Sequence, residues 1–406
     1  MRLTLCTRLA VAFIMLQPNL SSAQANISFA PIARVDSSSL TGLVSDPIIQ
    51  SFDLSPDGKT VALLVVAGSK VGAPLWLVTE DVASKHITAS SDLGASVFPT
   101  GGFAPQVMYS SDGRYLIIQD LRSIRVIDGS SLKSLRTISP SSDKELHPLF
   151  VIGASNRNVF ACAFGEEQKF NPRFHTTAVQ VEVVDVSSGV ILGQWASEDV
   201  PQSISPDGDL VAVSSLQAQQ GVLPLTVVDT HGQKVAELTG GYSFNDADQS
   251  KPFGRVIGLF MGSQKLLLAP DENVDPTGHH SGDGLQLVSM AGKVEQSIKP
   301  RHFGSTGELA ASADQKTALA LSWYVPARAL AHEGPLPASS PEVLVLGTGA
   351  SSHVEAALPI HPFGLKVSGW LQNRRPRVSS DGSVIAIAQD SGVTVLARNP
   401  SPSSHP

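Results

Sequence analysis

In a chain of 406 residues, 36 acidic side chains outweigh 29 basic ones, giving a formal net charge of −7. That balance argues against nonspecific association with nucleic acid or an anionic membrane surface, and no basic block with interleaved aromatics offsets it. Hydrophobic residues make up 42% and charged residues 16%, below the usual ~25%, which suits a strand-rich chain with a large core. The length allows two ordinary domains, although all-β folds often run longer as one unit.

Residues 1–25 read as an export signal. Arg2 and Arg8 form a basic start, Leu9 to Leu16 an apolar centre, and Ala23-Gln24-Ala25 a small-x-small cleavage site. The apolar centre is far short of the ~20 residues that span a bilayer, and nothing later is long and apolar enough to do so. Cys6 precedes the centre and is not placed for lipid attachment. Cleavage after Ala25 leaves 27 basic against 36 acidic residues, a net −9. The expected product is a soluble monomer, periplasmic or secreted. Its one cysteine, Cys162 in Val159-Phe160-Ala161-Cys162-Ala163-Phe164, reads as a small buried hydrophobe, and no intrachain disulfide can form.

The stretch Phe52-Asp53-Leu54-Ser55-Pro56-Asp57-Gly58-Lys59-Thr60-Val61-Ala62-Leu63 reads as strand, tight turn, strand. Proline presets φ at the second turn position, Asp tolerates the third, and Gly takes the positive φ that follows. Close copies centre on Asp112, Asp207 and Asp381, and looser ones on Asn156, Gln264 and Asp314, so seven units run to the C-terminus. Each turn precedes an apolar run, then a third strand such as Val181-Glu182-Val183-Val184, and usually a fourth such as Val190-Ile191-Leu192-Gly193-Gln194. Four strands and their turns need about 40–50 residues, the size of a propeller blade.

The seventh unit stops after its third strand, and Asn399 to Pro406 is Pro/Ser-rich and reads as a disordered tail. An open sheet edge is costly. Phe29 to Val35, which has no partner of its own, is therefore predicted to supply the missing strand and close the ring; the alternative is a flexible mature N-terminus. The prediction is an all-β, seven-bladed propeller of four-stranded antiparallel blades over residues 26–398.

These repeats resemble the Ser-Pro-Asp-Gly propeller repeats of exported bacterial proteins of the TolB and YVTN types, over about residues 48 to 398. The chain lacks a Trp-Asp dipeptide and so departs from true WD40 repeats. Prolyl oligopeptidases carry similar repeats ahead of a hydrolase domain, for which no residues remain here.

Alternating strands put the turns between first and second strands on one rim. The connections from second to third strands, and from fourth strands to the next blade, lie on the other. The second set holds the long, unequal segments, including Gly165 to Thr177, Gly240 to Gly254, Pro270 to Gly284, Pro326 to Pro341 and Pro359 to Pro376. Irregular loops on one side of a regular scaffold predict the binding face. Candidate binding residues there are Arg173, His175, Asp246, Asp248, Arg374 and Arg375. Arg374, Arg375 and Arg377 form a basic cluster suited to an anionic ligand or to salt bridges with acidic neighbours.

In the loop from Asp271 to Asp283, oxygen ligands alternate at Asp271, Asn273, Asp275 and Thr277 as at the start of a calcium loop. Pro276 stands where that pattern needs Gly, however, and no Glu closes it. His279, His280 and Asp283 are zinc-type ligands, but adjacent histidines in an extended segment point apart. A solvated loop without a cofactor is the plainer expectation, with a divalent metal the alternative. No nucleophile elbow or phosphate-cradling Gly loop occurs. The sequence thus favours a noncatalytic propeller binding a protein or cell-envelope partner; the alternative is a lactonase-like or other hydrolase working at the channel mouth.

Overall fold

The computed structural model describes residues 27–68, 72–95, 105–120, 122–140, 146–166, 178–215, 221–240, 242, 253–271, 284–298, 305–322, 342–348, 352–360, 375–389 and 391–399. Their strands form seven sheets of four antiparallel strands, in chain order outward from the ring centre in six of them; in the seventh the outermost strand comes from the start of the chain, and one sheet gains a short fifth strand on its inner edge. Blade 1 comprises Pro47–Leu54, Thr60–Ala67, Pro74–Asp81 and His86–Ala95. The first strands of blades 2 to 7 are Gln106–Tyr109, Leu146–Gly153, Asp199–Ile204, Phe253–Phe260, Ser305–Ala311 and Arg377–Val378. Successive first strands touch, and that of blade 7 touches that of blade 1, so the sheets form a closed ring.

Burial follows position in the blade. Second strands lie between neighbouring sheets on both faces: Val61 to Val66 are at most 1% exposed. This is why they read as unbroken apolar runs rather than alternating ones. Fourth strands such as His86–Ala95 face solvent and are mostly exposed. The core is a set of seams, each drawing on two blades. Phe52, Leu63 and Val65 of blade 1 pack with Ala386 and Val395 of blade 7, and Leu64 and Val66 pack with Leu116 and Ile118 of blade 2.

Phe29–Asp36 pairs antiparallel with Gly392–Arg398 and completes blade 7 as its outermost strand, in the place the sequence assigns to it. The pairing reaches one residue into the segment expected to be a tail, because Asn399 is held to Ser28 by backbone and side-chain hydrogen bonds of 2.8 Å. Residues 1–26 and 400–406, which include the whole of the expected leader and the rest of the expected tail, lie outside the described residues. The link from blade 7 to blade 1 contains a short 3-10 turn, Ser37–Leu40, that buries Leu40. No helix among the described residues is long and apolar enough to cross a membrane.

Two features differ from the sequence reading. Blade 5 joins its first two strands through only 261–264, so Gln264 does not occupy the Asp position of the longer turns. Gly221–Leu223, within the connection between the second and third strands of blade 4, pairs in parallel with Phe253 to Arg255 of blade 5.

Cys162 is fully buried in the second strand of blade 3, its thiol donating to Glu182 O at 3.7 Å. Burial, with the nearby Glu182 charge, pushes the thiol well above its ordinary pKa. A thiol reagent should therefore leave Cys162 unlabelled in native protein and label it in denaturant; fast native labelling of Cys162 would contradict this placement.

Candidate functional site

The Ser of each Ser-x-Asp turn organises it more than the Asp does. Ser55 Oγ donates to Asp57 Oδ1 at 2.7 Å and accepts from Thr60 N at 2.9 Å. Asp57 Oδ1 also accepts from Lys59 N at 3.1 Å. The arrangement recurs at Ser110, Ser312 and Ser379, whose hydroxyls lie 2.7, 2.6 and 2.7 Å from Asp112, Asp314 and Asp381, and again at Ser205 and Asp207. Such side-chain bonds to local backbone are the general reason Ser and Asp are favoured in turns.

The turns also bond to one another around the ring. Ser380 N donates to Pro56 O at 2.7 Å, Asp314 N to Ser380 O at 3.0 Å, and Asn156 N to Pro206 O at 3.0 Å. Ser111 Oγ donates to Asn158 Oδ1 at 2.8 Å, Ser263 Oγ to Asp207 Oδ2 at 2.7 Å, and Gly262 N to Gln315 Oε1 at 3.1 Å. Gly113 packs on Pro56 to close the remaining gap, between blades 1 and 2. The turn glycine has a second duty besides its positive φ. A Cβ on Gly382 would lie 2.4 Å from Thr317 Oγ1 of blade 6, and one on Gly58 2.9 Å from Val384 of blade 7.

One contact crosses the centre. Gln315 of blade 6 stands where other turns have Gly, at φ 61°, a region that non-glycine residues seldom occupy. Its Nε2 donates to Ser155 Oγ of blade 3 at 3.4 Å and to Ser312 O at 3.2 Å. Asn156, with its amide turned to satisfy both atoms, donates to Ala313 O at 3.2 Å. Blades 3 and 6 face each other across a seven-membered ring, so these bonds run across its centre at this rim. Gly221–Leu223 adds to the inner edge of blade 5 at the loop-rim end of its first strand.

Near this rim the first strands of blades 1 and 7 hold an ion pair between buried Asp53 and partly exposed Arg377. Arg377 Nε lies 2.9 Å from Asp53 Oδ1 and donates to Phe52 O at 3.3 Å, while Asp53 Oδ2 accepts from Tyr109 N at 2.6 Å. Asp53 thereby joins blades 7, 1 and 2. Burial raises its pKa, against the opposing pull of Arg377, the Tyr109 and Leu54 amides and Arg375. A concavity of about 460 Å³ opens on the turn rim between blades 5 and 6, where Lys265 is paired with Glu295 at 2.6 Å.

Of the residues singled out in the sequence, Asp271 ends the second strand of blade 5 and Arg375 precedes the first strand of blade 7, both on the loop rim. Arg173, His175, Asp246, Asp248, Arg374, Asn273, Asp275, His279, His280 and Asp283 lie outside the described residues. Among the described residues, no three His, Cys, Asp or Glu side chains form a metal-binding group. The structure brings Arg375 and Arg377 to Asp53, a residue the sequence reading treats only as part of a strand.

The turn carboxylates predict acid sensitivity. Burial alone would raise Asp112, but hydrogen bonds from Asn158, Ser110 and Arg114 outweigh it and hold the group at about 2. Asp57, Asp207 and Asp381 are lowered in the same sense. A depressed folded-state pKa stabilises above the unfolded value, about 3.9 for Asp, and that stability is lost as pH falls through the folded value. The thermal midpoint should accordingly drop between about pH 4 and pH 2, and Asp112→Asn should show less of the drop. A midpoint flat across that window would refute the assignment.

No family model matches the chain, and no curated protein matches it in sequence. Among solved structures it is similar to a chain in the crystal structure of the Mitotic Checkpoint Complex, at 13% identity and TM-score 0.55, over 98% of each chain. It is also similar to the dihydro-heme d1 dehydrogenase NirN, at 16% identity and TM-score 0.49, over 94% of this chain and 72% of that one. At these identities the first likeness supports the propeller fold, and the second adds nothing to it.

Proposed function

We propose that this chain is an exported, noncatalytic propeller that holds a protein partner of the cell envelope on its loop rim. The observation that carries the reading is the contrast between rims. The turn rim spends its polar groups on its own circuit of hydrogen bonds. Connections on the loop rim run from two residues at 197–198 to nineteen at 323–341. Length variation confined to one side of a fixed scaffold is how recognition surfaces are built. Export rests on the leader, and a mature N-terminus at Asn26 in purified secreted protein would support it.

The test replaces 323–341 and 361–374 with Gly-Ser linkers of equal length and compares cross-linked complexes from envelope extract. Partner capture should be lost, while the turn-rim changes Lys59→Glu and Lys316→Glu leave it intact. The reverse pattern would move the binding face to the other rim.

A further inference from the structure

The concavity between blades 5 and 6 opens where the repeat departs from its pattern. Turns of five residues, such as 312–316 and 379–383, meet backbone to backbone, as where Asp314 N donates to Ser380 O at 3.0 Å. Blade 5 spends only four, 261–264, and its bond to blade 6 is made by a side chain instead, Gly262 N donating to Gln315 Oε1 at 3.1 Å. The 460 Å³ left at this seam falls within the range of about 300–1,000 Å³ typical of small-molecule clefts. Met261 and Leu287, both buried, supply the apolar part of its wall.

The polar part of the wall offers one cation and several acceptors. Lys265 is committed to Glu295. Lys293, exposed in the turn before the outer strand Val294–Ile298, brings an ammonium that makes no hydrogen bond or ion pair among the described residues. With Glu295 the two lysines leave a net charge of +1, and no other lining residue is charged. Two neutral groups have their donors already spent: Thr348 Oγ1 donates to Gln315 O, and Gln315 Nε2 donates to Ser155 Oγ and Ser312 O. What they keep are lone pairs, on Thr348 Oγ1 and on Gln315 Oε1 beside its bond from Gly262. The Glu295 oxygen turned away from Lys265 is a third acceptor.

We propose that this concavity binds a sugar acid, with its carboxylate on the Lys293 ammonium and its hydroxyls on Thr348, Gln315 and Glu295. One cation beside a set of acceptors calls for a single anionic group and several hydroxyl donors on one small molecule, which is the make-up of a uronate. The carboxylate meets Lys293 in a charge-assisted hydrogen bond, and the C–H face of the sugar ring packs on Met261 and Leu287. A monoanion matches the net charge, whereas a sugar phosphate dianion would exceed it and meet Glu295. The sugar acid has two possible sources, a free monosaccharide or the end residue of an acidic polysaccharide. The site lies on the rim opposite the long loops, so it stands independently of the loop-rim reading.

Titration calorimetry of the full chain with galacturonate, trigalacturonate, galactose and hexanoate tests this. One or both uronates should bind. Galactose, which lacks the anion, and hexanoate, which lacks the hydroxyls, should bind about tenfold more weakly or not at all. Preference for the trimer points to a polysaccharide end, and a monomer that binds at least as tightly points to a free sugar acid. Lys293→Gln removes the cation from an exposed position and should weaken binding by about tenfold or more while circular dichroism stays native. Lys133→Gln makes the same change at the corresponding place in blade 2, where Asp128 N donates to Lys133 O as Ser289 N does to Lys293 O, and should leave binding intact. Where Lys293→Gln disturbs the fold, protection of Lys293 from acetylation by the uronate, read by mass spectrometry on unaltered protein, gives the same answer. Failure of both uronates to bind at millimolar concentration, equal binding of galactose or hexanoate, or binding unchanged in well-folded Lys293→Gln overturns the proposal, as does an equal loss in Lys133→Gln.

Discussion

A chain that begins at Ser37 is expected to unfold more readily and to associate with other copies of itself. Removing Phe29–Asp36 uncovers the whole of Gly392–Arg398, an apolar strand whose unpaired edge is a template for pairing with other chains. It also removes Ala33 and Val35 from the seam between blades 7 and 1, and the Phe29 ring 5.7 Å from the Arg398 guanidinium. Burial of Val35 contributes about 1.5 kcal/mol and each lost ladder bond about 1 kcal/mol, so the total loss is on the order of 5 kcal/mol. Urea unfolding should show a lower midpoint, size-exclusion chromatography should show larger species, and a peptide of residues 27–36 added in trans should reverse both. A truncated chain that elutes as the intact chain does and keeps the original midpoint would remove this strand from the closure of the ring.

Asp53→Ala is the point substitution expected to cost most. It leaves the Arg377 guanidinium sheltered without its counter-charge and strips Tyr109 N of its acceptor. Breaking one side of a buried ion pair costs about 3 kcal/mol, read as a lower urea midpoint with unchanged slope. Asp53→Leu combined with Arg377→Leu should cost less than Asp53→Ala alone, because no uncompensated charge remains. If the double variant is the worse of the two, the attraction within the pair, and not the isolation of one partner, dominates.

The repeating unit was legible because a few residues constrain its backbone: Pro56, Asp57 and Gly58 specify a turn wherever they stand, and second strands announce themselves by apolar runs. Blade 7 was legible as incomplete, since a three-stranded unit demands an edge partner and only one unclaimed segment existed. Long-range pairing left no such trace. Asp53 and Arg377 come from opposite ends of the chain, and nothing near either names the other. Gly221–Leu223 is too short and too parallel to show alternation. Gln315 looked like a degraded copy of a glycine turn, whereas its side chain supplies the bond across the centre. The oxygen- and histidine-rich segment after Asp271 carries ligand chemistry in the sequence and lies outside the described residues.

That central bond changes how the molecule should come apart. Modules that meet only their immediate neighbours can fray one at a time from a weak point, like links in a loop of chain. A strut from Gln315 to Ser155 makes two distant modules share their fluctuations. Amide hydrogens of blade 3 should therefore exchange faster in Gln315→Ala, although the substitution lies half a circumference away.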